Sequence, residues 1–77
     1  MLPMLGSMVG SRGRVTGRIG PGLVGEVLLP VRGGVEAFYA YAIDPEETIE
    51  TGTQVLVVDF SEPRSVYVER WTSLGLA

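Results

Sequence analysis

The chain has 77 residues and a formal net charge of −3 at pH 7, from six arginines against nine acidic residues, and it contains no histidine, cysteine or lysine. This length allows one domain, because a second hydrophobic core would need a longer chain. Without histidine and cysteine, the sequence lacks disulfides, the commonest metal ligands and the usual general base near neutral pH. Its negative charge opposes binding to phosphate polymers, so we do not expect nucleic acid as a partner.

Five short apolar runs, separated by glycine or proline, fill most of the sequence. They cover residues 14–19, 24–31, 35–42, 53–60 and 66–71. Runs of this length without a helix-length segment between them are typical of strands in a small barrel. We therefore predict an all-β fold, a five-stranded barrel of the OB type with no substantial helix. Residues 1–6 are then a disordered leader or the remnant of a preceding segment, 7–72 the barrel domain and 73–77 a flexible tail.

Turn signals join the first three predicted strands. Glycines within the first strand indicate a bulge or a close approach of two backbones, so this strand should be strongly bent. Pro21-Gly22 predicts a type II turn, and Gly33-Gly34 predicts a tight hairpin into the third strand. The run 24–31 is apolar on both faces, which predicts a strand central to the sheet. In the third strand we expect Phe38 and the alanines to face the interior.

The second half of the chain requires two local departures from regular strands. Asp44 can cap a single helical turn, and Ile49 after it is predicted to enter the barrel as a plug before the fourth strand. In the fourth strand, strict alternation from Val55 through Val57 would bury Asp59, which is costly without a partner. We therefore predict a bulge near residues 57–58.

No group of residues carries recognisable catalytic chemistry. The acidic cluster Glu46, Glu47 and Glu50 lacks the spacing of a calcium-binding loop, and we interpret it as a solvated turn. The serines have no histidine or lysine that could activate them. The closely spaced glycines of 13–20 fit no phosphate-binding fingerprint, because no helix follows them. We predict no catalytic residue, no metal, no cofactor and no small-molecule substrate.

Four aromatic residues are the candidate contact surface: Tyr39, Tyr41, Tyr67 and Trp71. Exposed aromatic patches on a barrel wall often mark protein contacts. The alternative is an OB-fold module that binds single-stranded nucleic acid by stacking bases on tyrosines. That alternative lacks the cationic residues expected between the tyrosines of the third strand.

The arginines are concentrated near the start of the chain. Four of the six lie within the first 32 residues, at Arg12, Arg14, Arg18 and Arg32, whereas most acidic residues follow position 43. We interpret these arginines as solvated residues that discourage edge-to-edge pairing of strands. A patch for anionic lipid or for an acidic partner is the alternative.

An ordered set of motifs resembles the C-terminal domain of NfeD-like proteins. The set comprises 8–15, 25–27, 38–42, 49–58 and 66–69. Its most specific parts are the Gly-x-x-Gly-x-Val pattern that starts at Gly10 and the Ile-x-x-Gly-x-x-Val-x-Val-Val pattern that starts at Ile49. The resemblance covers about residues 7–71 of the chain.

This resemblance implies a soluble OB-like barrel that is membrane-associated through the transmembrane helices of its parent protein, without saying which side of the membrane it faces. It also implies a role beside stomatin- or flotillin-type membrane scaffolds, in the regulation of membrane protease activity. We therefore expect a non-enzymatic interaction domain whose partner is such a scaffold, with homo-oligomerisation as a further option.

Overall fold

The computed structural model describes residues 8–71, which form five strands and no helix. The strands are β1 (Arg12–Gly17), β2 (Gly25–Val31), β3 (Gly34–Ala42), β4 (Gln54–Ser61) and β5 (Ser65–Arg70). They pair in the order β1-β2-β3-β5-β4, and β4 returns to β1 to close a barrel. The β3–β5 pair is parallel and the other pairs are antiparallel. The predicted five-stranded, OB-like, all-β fold is confirmed. The predicted leader at 1–6 and tail at 73–77 lie outside the described residues.

The predicted boundaries of strands two to five agree with the structure within one residue, but the first strand was placed two residues too late. Strand β1 ends at Gly17, and its pairing with β2 changes register between Val15 and Gly17. Beyond this irregularity Ile19 pairs with Ile49 instead of continuing β1. Its apolar side chain therefore belongs to the connection that closes one end of the barrel.

The two predicted turns near the β2 strand have different outcomes. The type II turn is confirmed, since the Leu23 N–H donates to the Gly20 carbonyl at 3.0 Å and Gly22 has a φ of +77°. The tight hairpin was placed one residue too late. Arg32 and Gly33 occupy it, with φ values of +46° and +84°. Such a pair of positive φ angles is typical of a type I′ turn.

The barrel interior is filled by aliphatic side chains, one methionine and one phenylalanine. The buried apolar residues are Met8, Val15, Ile19, Val27, Leu29, Phe38, Ala40, Ile49, Val55, Val57, Val66 and Val68. The predicted plug is confirmed: Ile49 is fully buried, its N–H donates to the Ile19 carbonyl at 2.8 Å, and the Ile19 N–H returns the bond at 3.0 Å. The predicted bulge is also confirmed, because the β4–β5 register shifts between Val57 and Asp59 and leaves Asp59 exposed.

Only one face of β2 is buried, although both faces of this strand are apolar. Val27 and Leu29 are buried in the core. Leu28 and the preceding Val24 point to the exterior and stay exposed. The second apolar face predicted from the sequence is therefore part of the molecular surface, where it contributes to the sites described below.

Candidate functional site

Two of the four predicted contact residues meet on the outer wall of the barrel. Tyr41 on β3 and Tyr67 on β5 are directly paired across the parallel strands. Their rings lie 5.6 Å apart, centroid to centroid, and are tilted by 30°. Tyr67 is paired on its other side with Asp59 of β4. Together these residues form a row across three strands of the outer wall.

This row forms the floor of a groove of about 650 Å³. The β1–β2 connection contributes Pro21, Leu23 and Val24 to its lining, and the end of β3 contributes Ile43, which follows the strand. Leu23, Val24 and Ile43 are exposed although they are large and apolar, and Val24 is 62% exposed. We call the cleft formed by Leu23, Val24, Tyr41, Ile43 and Tyr67 the tyrosine groove.

The other two predicted residues lie outside the tyrosine groove. Tyr39 is on the same outer face of β3, two residues before Tyr41, and is paired with Glu26 and Ser65. Trp71 follows β5, where its N–H donates to the Gln54 carbonyl at 2.9 Å and the Arg12 guanidinium lies 4.8 Å from its ring centroid. The structure therefore divides the predicted surface between two faces of the barrel.

The charged residues that line the tyrosine groove are acidic. Glu47 and Asp59 both contribute to its lining. The Glu47 carboxylate accepts a hydrogen bond of 2.8 Å from Arg70 Nε, so its charge is partly compensated. The Asp59 carboxylate accepts one from the Phe60 N–H at 2.8 Å. This site therefore offers apolar surface beside a carboxylate, a combination suited to an apolar segment with one cationic group.

Sequence reasoning identified the tyrosines of this groove but missed Leu23, Val24 and Ile43. The sequence did contain a signal for Val24, because the 24–31 run is apolar on both faces. We interpreted the second apolar face as buried within the sheet. In a closed barrel, however, one face of every strand points outward. An apolar outward face is therefore exposed unless another element covers it.

Within residues 8–71, no acidic residues cluster in an arrangement that could hold a metal ion. This same part of the chain contains no helix long and apolar enough to cross a membrane.

The family resemblance rested on an ordered set of sequence motifs, of which those starting at Gly10 and Ile49 are the most specific, and it implied the OB-like barrel that the structure shows. The sequence model of the NfeD C-terminal domain matches residues 12–69, which include all of β1 and nearly all of β5. The chain belongs to the NfeD C-terminal domain family. None of the curated proteins matches it.

Solved structures that share this fold include three domains of related proteins. The soluble domain of a membrane protein implicated in regulation of membrane protease activity, from Corynebacterium glutamicum, is 27% identical, with a TM-score of 0.72 over 86% of this chain and 95% of that one. The soluble domain of the NfeD protein YuaF from Bacillus subtilis is 30% identical, with a TM-score of 0.70 over 83% and 74%. The C-terminal domain of stomatin operon partner protein 1510-C from Pyrococcus horikoshii is 29% identical, with a TM-score of 0.62 over 88% and 94%.

The acidic character of the tyrosine groove bears on the nucleic-acid alternative. Stacking of bases on Tyr41 and Tyr67 would bring phosphates close to Asp59, and among the described residues no arginine lines this groove. We expect fluorescence anisotropy of labelled single-stranded DNA to stay flat into the high micromolar range at low salt. Binding that weakens with salt and is lost in Tyr41→Ala would contradict this expectation.

Proposed function

We propose that this chain is a non-catalytic interaction domain of an NfeD-type membrane protein, and that it docks a stomatin- or flotillin-type scaffold through the tyrosine groove. One observation carries the proposal: large apolar side chains remain exposed around a paired tyrosine floor, in a domain of this family. Large exposed apolar patches are uncommon on soluble monomers and often mark binding sites.

The choice of partner is supported by the relatives. The Pyrococcus horikoshii domain belongs to a stomatin operon partner protein, and the Corynebacterium glutamicum domain to a membrane protein implicated in regulation of membrane protease activity. We infer the same setting for this chain, with a membrane-anchored parent and a role in regulating a membrane protease through the scaffold rather than by catalysis.

The composition of the tyrosine groove defines the segment that it would accept. Tyrosines supply broad, rigid contact area at a low cost in side-chain entropy and are enriched at the centres of interfaces. Val24 and Ile43 extend this area, while Asp59 offers a carboxylate at the margin. We infer that the bound segment of the scaffold presents aliphatic side chains to the groove and one lysine or arginine to Asp59.

The test uses two valines of nearly equal exposure on different surfaces. Val24, in the groove, is 62% exposed, and Val35, at the start of β3, is 63% exposed. We expect Val24→Asp to weaken binding of a purified stomatin-type protein from the same organism at least about tenfold, since an unpaired carboxylate would be buried at the contact. Val35→Asp should leave that affinity unchanged. Biolayer interferometry with the immobilised 77-residue chain measures both.

A second pair of variants tests the aromatic floor. Tyr41→Ala should reduce the affinity for the scaffold, whereas Tyr39→Ala, on the same strand and face but outside the groove, should retain it. Urea denaturation of each variant establishes that it is folded. Equal affinities for Val24→Asp and the unchanged chain would overturn the proposed site. If Val24→Asp instead abolishes a concentration-dependent dimer seen by sedimentation, a second copy of the chain occupies the groove and the scaffold does not.

A further inference from the structure

A second exposed face of the barrel combines arginine with apolar side chains. In β1, Arg14 is paired with Leu28 of β2 on one side and with Gln54 of β4 on the other. In β2, the exposed Pro30 is paired with Val35 of β3. Arg12, Arg14, Leu28, Pro30 and Val35 line one shallow depression, which shares no residue with the tyrosine groove. We call these five residues the arginine face.

The charges of the arginine face are not neutralised locally. Within residues 8–71, ion pairs join Arg18 to Glu50 at 3.7 Å, Arg64 to Glu36 at 2.7 Å and Arg70 to Glu47 at 2.8 Å. Within residues 8–71, neither Arg12 nor Arg14 pairs with a carboxylate. By strand register the nearest acids are Glu26, two residues before the Arg14 partner Leu28 on β2, and Glu69, separated from Arg12 by Leu56. The residues that line the arginine face therefore carry two positive charges and no negative one, on a chain whose net charge is −3.

Trp71 extends this face at the side of Arg12. The guanidinium carbon of Arg12 lies 4.8 Å from the centroid of the indole ring, within the range of a cation–π contact. The half-buried ring and the charged group are thus held together at the surface. Tryptophan is enriched at the headgroup level of bilayers, and arginine can reach the same level with its charged end while its stem stays in apolar surroundings.

We propose that the arginine face docks on an anionic membrane surface. Leu28, Pro30 and Val35 would enter the interface between headgroups and acyl chains, while Arg12 and Arg14 contact lipid phosphates at its outer level. The negative charge of the remaining surface would repel an anionic bilayer, so only this orientation is favourable. Charge alone would also suit an acidic protein, but the interspersed aliphatic residues and the adjacent indole favour lipid. The inference does not depend on the scaffold proposed above.

Trp71 reports on this contact directly, because it is the single tryptophan of the chain. The 77-residue chain is titrated with vesicles of phosphatidylglycerol and phosphatidylcholine in equal amounts, and with vesicles of phosphatidylcholine alone. We expect a blue shift of Trp71 emission and co-sedimentation with the mixed vesicles only. Both should be lost near 1 M salt, where the Debye length is about 3 Å.

Variants locate the contact. Arg14→Gln should weaken partitioning into the mixed vesicles about fivefold, which corresponds to the roughly 1 kcal/mol that each basic residue contributes near an anionic surface. Val35→Asp should reduce it further by placing a carboxylate at the bilayer. Arg18→Gln is the control for loss of a positive charge outside the arginine face, and Val24→Asp is the control for gain of a negative charge outside it. Both variants should retain binding to the mixed vesicles.

Each of the following results would overturn the proposal. The first is unchanged Trp71 emission together with no co-sedimentation with the mixed vesicles at millimolar lipid. The second is binding to phosphatidylcholine vesicles as strong as to the mixed vesicles. The third is an equal loss of vesicle binding in Val24→Asp and Val35→Asp. Binding to polyglutamate without binding to vesicles would overturn it in favour of an acidic protein partner. Because Val24→Asp is expected to affect the scaffold and Val35→Asp the vesicles, failure of one proposal is distinguishable from failure of the other.

Discussion

Replacing Ile49 by alanine is expected to lower the free energy of unfolding by about 2–5 kcal/mol, the range for deletion of a buried aliphatic side chain in a packed core. Ile49 is 0% exposed and lies between the third and fourth strands, where it closes one end of the barrel. The cavity left by alanine cannot be filled easily, because both backbone hydrogen bonds to Ile19 hold the segment in place. A small domain has only about 5 kcal/mol to lose, so the effect is close to the total stability.

Urea denaturation followed by circular dichroism measures this change. The matched control is Ile43→Ala, which removes the same atoms from a side chain that is 50% exposed, and it should cost no more than about 1 kcal/mol. Ile49→Val, with an expected loss of about 0.5–1.5 kcal/mol, provides a folded comparison if the alanine variant does not fold. Equal losses for Ile43→Ala and Ile49→Ala would show that Ile49 is not the plug of this barrel.

Replacing Gly13 by alanine is expected to lower the free energy of unfolding by about 1–3 kcal/mol, because a side chain does not fit between the first two strands. A Cβ atom at this position would overlap the carbonyl oxygen of Leu28 and lie 2.5 Å from Leu29 Cδ2. The carbonyl belongs to the backbone of β2, so it cannot move away without disturbing the pairing of Arg14 with Leu28. The prediction is measured by the same urea denaturation.

Gly34→Ala is the control for the general effect of adding a methyl group to a strand glycine. A Cβ atom at Gly34 would meet no atom closer than the Val31 carbonyl oxygen, at 3.8 Å. Gly34 is also not among the residues with positive φ, so alanine fits its backbone. We expect this variant to be neutral or up to about 1 kcal/mol more stable, since alanine restricts the unfolded chain. A Gly13→Ala variant as stable as Gly34→Ala would show that β1 and β2 can separate at this point.

The two proposed contact surfaces are built from separate sets of residues on the barrel. The tyrosine groove and the arginine face have no residue in common, although β3 contributes Tyr41 to one and Val35 to the other, so one ligand does not have to cover both. A barrel docked on a membrane by the arginine face could therefore hold a scaffold segment in the tyrosine groove at the same time. Closure of the barrel makes this division possible, because each strand then presents its outward face on a different side.

The amino-acid sequence by itself determined the fold class and most of the local structure. Alternation of apolar residues, with Pro21-Gly22 and other turn signals between the runs, is a local property that depends on the period of a strand and on allowed φ angles. The need to bury Ile49 and to keep Asp59 in water is also local, because it follows from the transfer free energy of each side chain. These rules therefore predicted the plug and the β4 bulge correctly.

Strand pairing determined which distant residues meet on the surface, and this could not be predicted from the sequence. Parallel pairing of β3 with β5 places Tyr41 against Tyr67, which lies more than 20 residues later in the chain. Trp71 contacts Arg12 instead of these tyrosines. Closure of β4 onto β1 also determined which apolar residues stay exposed. Val24 and Leu28 would suit a buried strand as well as an exposed one, and only the closed barrel places them on the outer surface. Contacts between distant segments depend on register, and register is a property of the whole barrel rather than of any single segment.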